Sequence, residues 1–100
     1  MTLGQKQRKF TRMVADLIIF AYDQGYELSF GDAARMDNKG HVKDSFHYKR
    51  LAVDLNLFKD GEYLTTTEAH APLGEYWKSL GGTWGGDFER KDGNHYSYGE

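Results

Sequence analysis

The stretch Leu51-Ala52-Val53-Asp54-Leu55-Asn56-Leu57-Phe58 decides the fold, because it puts Leu51, Val53, Leu55 and Leu57 on one face and Ala52, Asp54, Asn56 and Phe58 on the other. That period of two marks a strand with one face on a core. Lys59-Asp60-Gly61-Glu62 follows and reads as a hairpin turn, with Asp-Gly at its centre, into a short strand through Tyr63 and Leu64. Upstream, Phe10, Met13, Val14, Leu17, Ile18 and Ala21 recur at spacings of three and four between Gln5 and Gln24, so this segment is expected to be an amphipathic helix stopped by Gly25. Tyr26 to Phe30 alternates and reads as a strand, followed by a loop over 31–43 that carries Arg35 and a turn at Asp37-Asn38-Lys39-Gly40.

Downstream, Thr65-Thr66-Thr67-Glu68 has capping-box spacing, and Leu73, Tyr76, Trp77 and Leu80 mark the core face of a second helix ended by Gly81-Gly82. Pro72 leaves two alternatives there: it opens the main helix after a short turn, or it kinks the helix. In the Gly-rich remainder, Phe88 and Tyr96 are the expected strand anchors around a turn at Asp92-Gly93-Asn94. Helix, strand, strand pair, helix and terminal strand together predict an α+β fold with a mainly antiparallel sheet. One hundred residues fit a single domain spanning 1–100.

Composition removes several kinds of chemistry. The chain has no cysteine, which excludes disulfides, thiolate metal ligands and a cysteine nucleophile. The longest apolar run, Leu17 to Tyr22, is far shorter than the roughly 20 residues of a membrane span, so neither membrane insertion nor a signal peptide is expected. A net charge of −2 gives no general attraction to nucleic acid. Lys6, Arg8, Lys9 and Arg12 form a local basic cluster, read as a solvated helix face; a nucleic-acid platform working through it is the weaker alternative.

Asp54 interrupts an apolar strand seven residues after His47. A carboxylate there needs a partner, either a cation such as Lys49 or Arg50 or a metal ion. His47 and Asp54 with a second histidine would supply the three N/O ligands of an open zinc site. Four histidines are available. His70 is expected on an exposed helix surface and His41 in a solvated loop, whereas His95 follows Asp92 by three residues across a Gly-Asn turn. That turn can bring both side chains to one side, one to ligate a metal and one to move protons; a turn-flanking surface pair is the alternative.

Ser45-Phe46-His47-Tyr48-Lys49-Arg50-Leu51-Ala52-Val53-Asp54 resembles the Ser-x-His-x-x-Gly-x-Ala-x-Asp motif of the VanY-like zinc D-alanyl-D-alanine carboxypeptidase and L-alanyl-D-glutamate peptidase family, which includes many phage endolysins. Asp92-Gly93-Asn94-His95 resembles the family's acid-x-x-His motif. Tyr26 to Arg35 is similar to the strand and loop that deliver the family's arginine, and Trp84-Gly85-Gly86-Asp87-Phe88 to a stretch of its endolysin-type branch. Arg50 departs from the pattern by standing where the motif has Gly.

The resemblance implies a Hedgehog/DD-peptidase-like fold, a small mainly antiparallel sheet flanked by helices. It implies one Zn2+ per chain held by His47, Asp54 and His95, with Asp92 as general base. Arg35 is then the cation that steadies the oxyanion, and Ser45 a substrate-binding hydroxyl. Asp87 and Glu89 read as acids near the site or facing solvent, and Tyr48, Trp84 and Tyr96 as core or cleft walls. The implied substrate is the peptidoglycan stem peptide, cut between L-Ala and D-Glu, with removal of terminal D-Ala as the rival activity. The expected protein is a monomer made in the cytoplasm and acting at the cell wall after another protein permeabilises the membrane. A binding module that keeps the fold without catalysis is the alternative of another class, and Asp92 argues against it, because such a module needs no base.

Overall fold

The computed structural model describes residues 1–31 and 49–99. Helix α1 (Leu3–Asp23) begins at a Thr2 cap whose side chain accepts from the Gln5 N–H, while the Gln5 side chain returns a bond to the Thr2 N–H. Its buried stripe is Phe10, Met13, Leu17 and Ala21, the periodicity expected from sequence. Gly25, at φ 88°, turns the chain out of the helix into β1 (Glu27–Phe30). Strand β2 (Ala52–Lys59) holds the centre, followed by β3 (Glu62–Leu64), α2 (Thr67–Ser79), β4 (Thr83–Trp84), a 3-10 turn (Gly85–Asp87) and β5 (His95–Ser97). The strands form one sheet of order β1-β2-β5-β4 in which β3 also pairs with β2, and the described pairs are antiparallel.

The two edges of β2 are used differently. One carries β1, opposite residues 55 to 58. The other is split between β5, opposite residues 52 to 54, and β3, opposite residues 57 to 59. Among the described residues, the Leu55 N–H bond to the Asn94 carbonyl, 2.9 Å, bridges the interval between them. Leu51, Val53, Leu55 and Leu57 are all buried, while Asp54, Asn56 and Phe58 of the other face are half-buried. The core joins that leucine-rich face to the stripes of both helices, with the Trp77 ring edge-on to Phe10 and Tyr96 at centroid distances of 5.8 and 5.9 Å. Trp77 Nε1–H donates to the Ser97 and Thr83 carbonyls, so burial of this ring leaves no polar atom unsatisfied.

Two expectations are corrected, and one of the two alternatives for Pro72 is excluded. Helix α2 runs continuously through Pro72 from its Thr66 cap, so Pro72 does not open it. Pro72 is exposed, and the tertiary contacts of Leu73, Gly74 and Trp77 offset the one backbone hydrogen bond it removes. Phe88 anchors no strand: the chain leaves β4 into the 3-10 turn, and Phe88 caps that turn in extended conformation. His70 is not exposed but 2% accessible, because it sits one turn before Leu73 and Gly74 on the stripe that buries Trp77. The hydrogen bond between its Nδ1 and Tyr96 Oη, 2.8 Å, satisfies that nitrogen inside.

Arg50, in the position of the motif glycine, has φ 58°. The backbone therefore keeps the left-handed turn that glycine adopts without strain and makes a bulky residue carry it. The segment is pinned from α1, where Gln7 Nε2–H donates to the Lys49 carbonyl at 2.9 Å.

Candidate active site

The antiparallel register of β2 and β5 sets Asp54 directly across from His95. Cross-strand partners project from the same face, so both side chains leave the sheet together, on the side away from the leucine-rich core. His95 Nδ1 lies 3.6 Å from Asp54 Oδ1. That separation is too long for a direct hydrogen bond and close to the roughly 3.3 Å between two ligands of one tetrahedral zinc ion. His95 is 9% accessible, with the Phe88 ring 5.3 Å away and tilted against it.

Asp92 joins them from the turn before β5. Ligand atoms of Asp54, Asp92 and His95 all lie within 4.8 Å of one another. The turn is held by backbone bonds from the Asp92 N–H to the Gly85 carbonyl, 2.9 Å, and from the His95 N–H to the Asp92 carbonyl, 3.1 Å. Trp84 Nε1–H adds a 2.8 Å bond to the Gly93 carbonyl. Gly85 lets this happen, since a Cβ there would collide with the Asp92 carbonyl oxygen and come within 2.8 Å of His95 Cβ. Lys78 fixes the other side of the 3-10 turn by pairing with Glu75 and Asp87 at 2.8 and 2.9 Å. Those two hydrogen bonds, Glu75 first and Asp87 second, raise the Lys78 pKa.

Comparisons with known proteins show the family and the fold. A family model described as D-alanyl-D-alanine carboxypeptidase matches residues 39–98, which include both Asp54 and the turn through His95. The chain belongs to that peptidase family. Among solved structures, the Serratia marcescens L-Ala D-Glu endopeptidase ChiX superimposes with a TM-score of 0.70 over 96% of this chain and 85% of its own, at 16% identity. No curated protein matches the sequence significantly. Family membership makes the chain a peptidase acting on peptidoglycan, and the antiparallel sheet with its helices is the fold that ChiX shares. Enzymes of this family are generally zinc peptidases.

The donor set fits such an ion. One carboxylate and one imidazole stand at ligand spacing on rigid paired strands, and a second carboxylate, exposed to solvent, stands beside them. His47, Arg35, Ser45, His41 and Tyr48 lie outside the described residues. Trp84 and Tyr96 are core residues, 5% and 0% accessible, and both hold the site from behind. Asp87 is half exposed and bound to Lys78, away from the carboxylate and imidazole cluster.

Sequence reading overlooked the surroundings of Asp92. His70, Lys91, Thr65 and Thr67 line a polar cavity of about 220 Å3 that Asp92 also borders. A signal for His70 was present, since positions 70, 73, 74 and 77 follow helical spacing on one stripe. Nothing local marked Lys91.

Proposed function

We propose that this chain is a single-domain zinc peptidase that hydrolyses the L-Ala to D-Glu bond of the peptidoglycan stem peptide. The observation that carries this reading is the convergence of Asp54, Asp92 and His95 within 4.8 Å at the β2–β5 ladder, in a member of this peptidase family. Asp54 and His95 would hold the ion, with His47 as the third ligand implied by the motif. When bound, zinc supplies a Lewis acid that polarises the scissile carbonyl and acidifies water. Asp92, exposed beside the ligand pair, takes a proton from the attacking water as its oxygen bonds to the carbonyl carbon. The same carboxyl gives that proton to the nitrogen as the C–N bond breaks. Arg35 is assigned to the developing oxyanion and Ser45 to substrate binding, both by the motif.

The choice of bond is supported by the Trp84 to Phe88 stretch of the endolysin-type branch and by the shared fold of ChiX, named as an L-Ala D-Glu endopeptidase. Removal of terminal D-Ala is the second reading, favoured by the description of the matching family model. In either case the protein acts at the cell wall as a monomer. Among the described residues no helix is long and apolar enough to cross a membrane. Incubation with purified peptidoglycan and mass spectrometry of the products tests the proposal: new N-terminal D-Glu is expected. Released D-Ala would move the assignment to the carboxypeptidase, and intact muropeptides with zinc bound would refute both.

A further inference from the structure

We propose that the cavity between the start of α2 and the turn before β5 is a carboxylate subsite, which grips the substrate carboxylate on the carbon bearing the leaving amine. This rests on the peptidase reading above and deepens it. The cavity occupies the split edge of β2, where β5 has ended and β3 has begun. Thr65, Thr67, His70, Lys91 and Asn94 line it, and Asp92 lies on its border.

The buried histidine is the informative member. Its Nδ1 is committed to Tyr96 Oη at 2.8 Å. Trp84 Nε1–H, a group that can only donate, bonds to the Gly93 carbonyl and also faces the Tyr96 oxygen. The phenol of Tyr96, 2.8 Å from the ring nitrogen and beside an indole that can only donate, directs its own proton to His70 Nδ1. His70 must then carry its own proton on Nε2, and no described residue accepts it. A side chain 2% accessible, lining a polar cavity, thus keeps an unused donor. Lys91 adds a cation with no ion pair among the described residues. The first turn of α2 adds hydroxyls and N–H groups, with the Gly93 backbone packed so closely on Thr67 that a Cβ would come within 2.5 Å of its Cα.

These donors share one complement, an acceptor with negative charge. Asp92, as the group that protonates the leaving amine, must lie within hydrogen-bond reach of that nitrogen. A carboxylate one carbon further on then falls to the cavity that Asp92 borders, and Lys91 offsets the repulsion between the two carboxylates. D-Glu, attached through its amine and extended through its side chain, carries a free carboxylate at that carbon.

The test uses the full-length, zinc-loaded enzyme and two synthetic stem peptides, L-Ala-D-isoglutamyl-L-Lys and its isoglutaminyl counterpart, in which that carboxylate is a carboxamide. The amide is expected to raise KM roughly tenfold to a hundredfold with a much smaller change in kcat. Lys91→Met and His70→Gln should each bring the two peptides closer together. Lys91 is exposed, so its variant keeps the test open if His70→Gln fails to fold. Equal KM for both peptides in the wild type, or undiminished discrimination in Lys91→Met, would overturn the subsite. A separate readout is the ring 15N shift of His70 on titration with D-isoglutamyl-L-Lys. If neither peptide is cut yet the shift appears, the subsite stands and the assigned bond falls; no shift overturns the subsite.

Discussion

The two halves of the candidate site are held by different physics. Asp54 and His95 belong to a strand pair, where ladder hydrogen bonds and the buried leucine face fix which residues lie opposite one another. A slip of one residue would turn Asp54 into the core, so the packing of four leucine and valine side chains enforces the spacing of Asp54 and His95. Asp92 belongs to a turn with no ladder. Its position depends on close approach of backbone to backbone at Gly85 and Gly93, with the Trp84 indole tying the turn to the sheet. The proposed ligand pair is thus set by register and the proposed base by contact. The first tolerates side-chain changes in place, and the second is sensitive to the addition of a single carbon.

Substitutions can break this contrast in graded steps. Asp54→Asn and His95→Ala should abolish stoichiometric zinc and turnover while leaving circular dichroism and the strand pairing intact, as checked by metal analysis of the purified protein. Asp92→Asn should retain zinc and fold but lose about 10²- to 10⁴-fold in kcat, the usual worth of a general base. Retained hydrolysis in that variant would move the base to another group. Gly85→Ala should cost about 3 kcal/mol or more, because the new methyl group meets backbone rather than a movable side chain. Chemical denaturation measures this, and an unaffected midpoint would show that the turn is not held by contact.

The pH dependence of stability probes the packing behind the turn. Burial lowers the His70 pKa from 6.5 to about 4, so the folded state binds fewer protons than the unfolded chain between those values. The contribution is complete above pH 6.5 and is lost as pH falls from there to about 4. It amounts to roughly 3 kcal/mol at most. Denaturation of wild type and His70→Gln at pH 7.5 and pH 4.5 should show the smaller pH dependence in the variant. The least effect is expected from Arg50→Gly, which relieves a left-handed residue and should raise stability by about 1 kcal/mol. Thermal unfolding would register this as a gain of a few degrees.

Much of this was legible in the chain itself. The alternation of Leu51 to Phe58, the stripe of α1 and the Asp-Gly turn at Asp60 and Gly61 are local signals, and the structure follows them. The grouping of Asp54, Asp92 and His95 was anticipated because the motif spacing carries the chemistry. His70 escaped although its spacing to Leu73 and Trp77 puts it on the buried stripe, because the partners that make room for its ring, Tyr96 and Trp84, lie 26 and 14 positions later. Phe88 misled for the opposite reason, since its aromatic character suits a strand while Gly85 and Gly86 turn the chain before one can form. Arg50 was visible as a departure from the motif, and only the backbone angle shows that the turn survives the replacement.

The brevity of the outer strands has a bearing on how this protein can be handled in a cell. Among the described residues, the sheet ends in β4, with two residues, and in β1 and β3, with four and three. Long, flat, unpaired strands act as templates on which a second chain can add and aggregate, whereas edges this short offer almost no backbone ladder to copy. Among the described residues, the longest strand, β2, has neighbours on both sides. The described part of the sheet therefore gives a second copy of the chain little backbone on which to build fibres, even at high concentration.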